Sequence, residues 1–432
     1  MRVLVIGSGG REHALVWALQ RSPSAPEVFA APGNPGIAET ALCFPVDPAD
    51  STLVAQLADD LAVDLVVVGP EVPLVAGVAD AVRARSRHCF GPGAAGARLE
   101  GSKAWMKHVL ADAGVPTARH RSFGVDEQDA ALAFLEEFAA PYVVKTDGLA
   151  AGKGVVVTES LADARDAVRA YLSGEAFGDA GRTLVIEEGL AGPELSLLVV
   201  CNGDPDAALP LAPAQDFKRA FEGDAGPNTG GMGAYSPVPI VDAATVEDVM
   251  ERAVRPTLHW LARHDAEYRG VLYAGMMLTA DGPKVIEYNV RFGDPECQVV
   301  LPRVTSDVAE LLHAAANGNP LDVSFTPDAC VTVVLTADGY PAAPRTGDPV
   351  TGLHVAKGVN AVTVFHAGTA RDPDGVLRTA GGRVFDVTAT GPDLEVARTR
   401  AYEAASLIEF EGMRFRHDIA AHAAAAQRRA EG

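Results

Sequence analysis

Basic residues are scarce in this chain. Across 432 residues, 36 Lys and Arg stand against 57 Asp and Glu, a net charge of −21 at pH 7. A field of that sign repels polyanions and argues against general binding to nucleic acid or to an anionic membrane surface. Any phosphate the chain handles must be met by a local cluster of cations. Cysteine is scarce too. Cys43, Cys89, Cys201, Cys297 and Cys330 form an odd, dispersed set without a CxxC pair, which excludes a disulfide framework and a zinc site and fits reduced, buried thiols. No uninterrupted apolar run reaches the roughly 18 residues a membrane-spanning helix needs. The opening Met1-Arg2-Val3-Leu4-Val5-Ile6-Gly7 enters a strand directly, without a signal peptide's apolar region and cleavage site. A cytoplasmic protein is expected. HExxH and GxSxG are absent, and the 11 histidines show no metal-type spacing, so nothing requires an enzyme nucleophile or a histidine-held metal.

What is present suffices for large cores: 48% of residues are hydrophobic and 22% charged, which rules out general disorder. The length suggests about three domains. In the first hundred residues, apolar strands at Arg2–Ile6, Val28–Ala31, Leu65–Val68 and His88–Phe90 end in glycine loops and alternate with helical stretches such as Glu12–Gln20. That is the pattern of a parallel sheet covered on both faces, with ligands at the carboxyl ends of the strands. Beyond about residue 103, strands at Tyr142–Lys145, Val155–Thr158, Thr183–Glu187 and Leu195–Cys201 mix with helices at Gln128–Ala139 and Leu161–Leu172, which predicts an α+β region with antiparallel pairing. A long helix is predicted over Val246–Arg263. Short strands at Cys330–Leu335, Thr363–Ala367 and Arg383–Thr388, then a helix near Asp393–Leu407, predict a β-rich C-terminal domain.

Three stretches carry chemistry. Gly7-Ser8-Gly9-Gly10 joins a strand to a helix, where free N–H groups and the helix dipole suit an anion; a tight packing turn is the alternative. It is not a dinucleotide fingerprint, because Glu12 stands at the third glycine. Lys145–Gly154 lacks the hydroxyl residue and following helix of a Walker A loop, since Gly154 leads into Val155-Val156-Val157. It reads instead as a glycine loop inside a hairpin, able to cover a triphosphate. In Lys284–Glu296, strand alternation places Glu287, Asn289 and Arg291 on one face and Ile286, Tyr288 and Val290 on the other. Carboxylate and amide oxygens side by side suit Mg²⁺ shared with phosphate, and the arginine suits a carboxylate or a transferring phosphate.

Two lysines, a hairpin glycine loop and a Glu-x-Asn-x-Arg strand together resemble the ATP-grasp superfamily. Longer motifs resemble the phosphoribosylamine–glycine ligase family: GSGGREHA (Gly7–Ala14), APGN (Ala31–Asn34), GPE (Gly69–Glu71), EGSK (Glu100–Lys103), DGLAAGKGV (Asp147–Val155), GPNTGGMGAYSP (Gly226–Pro237) and RFGDPE (Arg291–Glu296), with FHAGT and GGRV later. The resemblance implies an N-terminal Rossmann-like α/β substrate domain (1–104), an ATP-grasp domain (105–325) with a small lid subdomain at about 120–190, and a β-rich C-terminal domain (326–425). It implies ATP with Mg²⁺ or Mn²⁺, the substrates glycine and 5-phosphoribosylamine, and a glycyl phosphate intermediate. A monomer is expected.

Carried over by motif, Lys103 and Lys145 are implied to contact phosphate, and Gly148–Gly154 (including Gly152 and Lys153) to form the lid. Glu187, Glu188, Gly189 and Leu190 would read adenine, Glu194 ribose, and Arg219 and Asn228 the nucleotide. Glu287 and Asn289 would hold the metal. Gly9, Gly10, Gly33, Asn34, Pro70 and Glu71 would hold phosphoribosylamine, with Asp216, Lys218, Arg291 and Asp294 completing the substrate side. Arg291, Lys145 and Asp294 form the implied catalytic set. Phe217 stands where the family pattern has histidine, and Thr146 where it has alanine. Another ATP-grasp ligase and an inactive nucleotide sensor are the competing readings.

Overall fold

The computed structural model describes residues 1–149, 154–173 and 182–431. The N-terminal sheet is parallel, in the order Leu42–Cys43, Glu27–Pro32, Arg2–Gly7, Leu65–Val68, His88–Phe90. Val3 to Ile6 and Leu65 to Val67 are fully buried, as strands covered on both faces require. Chain order reverses between Arg2–Gly7 and Leu65–Val68, so the crevice at their carboxyl ends is where such sheets bind ligands.

Two four-stranded sheets follow. One runs His120–Gly124, Thr183–Glu188, Tyr142–Thr146, Val155–Thr158 and has its own core with Phe123, Leu135, Val144, Val168 and Ile186. The other runs Leu209–Pro210, Glu194–Asn202, Arg269–Thr279, Gly282–Asn289. Both are antiparallel throughout. The fourth sheet is antiparallel and five-stranded, in the order Gln215–Asp216, Gly233–Ser236, Ala329–Thr336, Arg383–Gly391 and Val362–His366. It is backed by the helix Leu394–Ala405, which Asp393 caps by accepting from Val396 N.

Two local departures have physical causes. The helix predicted over Val246–Arg263 is present as Ala243–Val249 and Arg255–Arg263 joined by a π turn, Met250–Val254. Pro256 lacks an N–H, and the wider turn accommodates that gap. The strand Gly282–Asn289 bulges, pairing Glu287 with Gly275 and Val285 with Met276. The bulge corrects the expected alternation: Val285, Tyr288 and Val290 enter the core, while Ile286 turns to the cleft with Glu287. All five cysteines are free, four of them buried. No helix among the described residues is long and apolar enough to cross a membrane.

Candidate active site

A cleft of about 1100 Å³ opens between the two four-stranded sheets and reaches the N-terminal and C-terminal domains. One wall is built around a buried carboxylate. Glu187 lies 2.9 Å from Lys145 Nζ through one oxygen and 2.9 Å from Lys107 Nζ through the other. Burial pushes Glu187 up, but the two ammoniums outweigh it and hold the carboxyl below its usual range. Burial lowers Lys107 to about 8. Lys145 also donates to Ile286 O at 3.2 Å, linking this wall to the bulged strand opposite. Ser102 caps the helix Lys103–Asp112, accepting from Trp105 N, and puts Lys103 on its first turn. Lys103 Nζ donates to Gly148 O at 2.9 Å, and burial depresses its pKa. Gly148 and Gly154 line the cleft; Gly152 and Lys153 lie outside the described residues.

On the facing wall, Lys218 Nζ bridges Glu194 Oε2 at 3.1 Å and Glu287 Oε1 at 3.5 Å. Burial alone would raise Glu287, but Lys218, Lys145, Lys103 and Arg291 bring it down to about 2. Asn289 Oδ1, two residues on, accepts from Arg291 Nη2 at 3.2 Å. An ionised carboxylate and an amide oxygen on one cleft wall fit a hard divalent cation that takes its other ligands from water and phosphate. Among the described residues no cluster of three His, Cys, Asp or Glu offers a rival site. Glu188, Gly189, Leu190, Arg219 and Asn228 also line the cleft.

Arg291 is heavily partnered. Its Nε lies 3.4 Å from Glu71 Oε2 and its Nη2 2.9 Å from Glu100 Oε1, while Glu100 Oε2 accepts from Val290 N at 2.7 Å. Burial pushes Glu100 up to about 7, against the pull of Arg291. Asp294 pairs with Arg383 at 2.9 Å and accepts from Gln298 at 2.7 Å. Asp216 is pushed well above its usual range by burial, with Lys218 opposing.

The structure brings most predicted residues to this cleft, including Pro70 and Glu71, but not all. Gly9, Gly10, Gly33 and Asn34 do not line it. The Asn34 side chain is committed to the backbone, donating to Ser8 O and His366 O and accepting from Gly36 N and Ile37 N. The Gly9 N–H, expected to be free for an anion, donates to Glu12 Oε2 at 2.6 Å. Phe217 packs against the C-terminal core with Arg416 Cζ 4.9 Å above its ring, so this side chain has a defined seat. Arg11, Lys107 and Glu100 are parts of the site that the motifs contain or adjoin but that local pattern does not single out; pairing across the fold reveals them.

The paired antiparallel sheets and the lysine and acid–amide walls between them define an ATP-grasp ligase. Residues 1–100, 101–297 and 330–422 match the N domain, the ATP-grasp (A) domain and the C domain of phosphoribosylglycinamide synthetase. The chain belongs to that family. The phosphoribosylamine–glycine ligase of Streptomyces coelicolor is 52% identical over 432 residues, covering 99% of this chain and 100% of that one. The crystal structure of phosphoribosylamine–glycine ligase from Thermotoga maritima is similar with a TM-score of 0.84 at 34% identity, covering 97% of this chain and 100% of that one. The biotin carboxylase domain of 2-oxoglutarate carboxylase from Hydrogenobacter thermophilus shares the fold, with a TM-score of 0.69 at 18% identity over 96% of this chain and 91% of that one.

Proposed function

We propose that this chain joins glycine to 5-phosphoribosylamine at the expense of ATP, giving glycinamide ribonucleotide, ADP and phosphate in purine biosynthesis. The observation that carries the reading is that three domains of one family match in order over most of the chain, and that each contributes residues to one cleft. In this reading the chain acts as a cytoplasmic monomer, divided at 104/105 and 325/326.

Lys103, Lys145 and the backbone of Gly148 and Gly154 meet the triphosphate, with Gly152 and Lys153 in the same loop. The segment Glu187–Leu190 reads adenine, Glu194 accepts from ribose hydroxyls, and Arg219 and Asn228 border the nucleotide. Glu287 and Asn289 hold Mg²⁺ or Mn²⁺, which when bound neutralises charge on the phosphates. Arg291 orients the glycine carboxylate, and Asp216, Lys218 and Asp294 shape the substrate side. Pro70 and Glu71 face phosphoribosylamine, with the loops of Gly9-Gly10 and Gly33-Asn34 helping to hold it.

A glycine carboxylate oxygen attacks the γ-phosphorus and the bond to the bridging oxygen of ADP breaks, giving glycyl phosphate. The amine of phosphoribosylamine then attacks the acyl carbon; the carbon–oxygen bond breaks, phosphate leaves with that oxygen, and the nitrogen loses a proton. The protein supplies positioning and charge, as phosphoryl transfer requires little covalent work from it. ADP release should require glycine and phosphoribosylamine together. Release with another carboxylate or amine in their place would assign the chain to a different ligase, and binding of ATP without turnover would make it a sensor.

A further inference from the structure

The glycine loop after the first strand is filled by the chain's own carboxylate. A Cβ on Gly7, Gly69 or Gly9 would lie 2.5, 2.2 or 2.9 Å from Glu12 side-chain atoms. The three glycines thus make room for Glu12, whose Oε2 takes the Gly9 N–H at 2.6 Å and whose Oε1 takes Arg11 Nε at 2.6 Å. The charge that a helix N-terminus and a glycine loop would attract is therefore already present. It serves to fix a guanidinium. Arg11 is 6% exposed, yet it lines the cleft beside Glu71 and Arg291. Its Nε is held by Glu12 and its Nη1 by Phe292 O at 3.2 Å; its Nη2 has no hydrogen-bond partner among the described residues. Arg291, close by, pairs with Glu71 and Glu100 and donates to Asn289 Oδ1 and Phe292 O, while its buried Nε makes no hydrogen bond.

We propose that Arg11, locked by Glu12, is a substrate-binding residue that receives an anionic oxygen of a substrate on the N-terminal side of the cleft. The inference rests on the ligase reading above. Two anions present the required oxygen: the carboxylate of glycine and the 5-phosphate of phosphoribosylamine. A guanidinium with two of its three nitrogens fixed and the third free is pre-oriented for either.

The test measures KM for glycine, phosphoribosylamine and ATP separately in the wild type, Arg11→Met and Arg11→Lys. In Arg11→Met, KM for one of the first two should rise about ten- to hundredfold while KM for ATP stays within about twofold, because one charge-assisted contact is lost. A rise for glycine identifies the carboxylate, and a rise for phosphoribosylamine the phosphate. Arg11→Lys keeps charge and bulk and should show a smaller rise in the same constant; it decides the matter if Arg11→Met does not fold. Unchanged constants, or all three rising together with a fall in kcat, would overturn the proposal. Failure of the ligase reading would show instead in the wild type, as ADP release independent of glycine or phosphoribosylamine.

Discussion

Lys145 Nζ sits 2.9 Å from Glu187 Oε1 with both side chains almost wholly buried. The second oxygen of that carboxylate holds Lys107, so one negative charge is shared by two positive ones beneath the phosphate wall. Glu187→Gln would remove the counter-charge in direct contact with both ammoniums. Breaking a buried pair from one side costs about 3–5 kcal/mol. The expected result is a clear drop in the denaturation midpoint together with a raised KM for ATP. A midpoint equal to wild type would show that Lys107 and Lys145 do not depend on this carboxylate.

Glu287→Gln should behave differently. Glu287 keeps 35% of its side-chain exposure and faces the cleft, so the variant should fold normally. Turnover should fall by about two orders of magnitude at low Mg²⁺ and recover partly as Mg²⁺ is raised, since the lost donor weakens metal retention. Near-normal activity at low Mg²⁺ would remove Glu287 from the metal site.

Phe217→His introduces the histidine that the family resemblance leads one to expect at this position. Because the ring packs under Arg416 and against the C-terminal core, turnover should stay within a few-fold of wild type, and stability should change by about 1 kcal/mol or less. A gain of two or more orders of magnitude would mean that Phe217 had disabled or redirected the site.

His366 supplies a pH dependence. It is fully buried, with Nδ1 bound to Thr369 Oγ1 and Nε2 unpartnered, and faces His13, Lys357 and Arg371. Burial and those charges lower it to about 2, below the unfolded value near 6.5. Below pH 6.5 the unfolded chain therefore binds a proton that the native chain does not, and stability declines as pH falls, by up to about 1.4 kcal/mol per pH unit for one group. Above pH 7 the effect is absent. His366→Gln should show a shallower loss of unfolding free energy between pH 6.5 and 4.5 than wild type; parallel curves would contradict the depressed value.

Much of this architecture is legible locally. Leu65–Val68, His88–Phe90, Val155–Thr158 and Leu161–Leu172 are read from sequence to the residue, because apolar runs and glycine or serine boundaries mark them. Other features depend on partners far along the chain. Gly7 and Gly69 flank one carboxylate from two different strands, so Gly7-Ser8-Gly9-Gly10 alone reads as an open anion loop. The bulge at Ile286 follows from pairing with Gly275 and Met276 and leaves no mark on the alternation of Lys284–Asn289. Gln215–Asp216 and Gly233–Ser236 join a sheet whose other strands begin at Ala329, a pairing that no local periodicity encodes.

In the proposed reaction the substrate carboxylate itself is activated, with Glu287, Asn289 and Arg291 on one stretch of chain beside it. Glycine labelled with heavy oxygen in its carboxylate tests this directly. During turnover with ATP and phosphoribosylamine, one labelled oxygen should appear in inorganic phosphate for each glycinamide ribonucleotide formed. Unlabelled phosphate would contradict the glycyl phosphate route and remove the role given to Arg291.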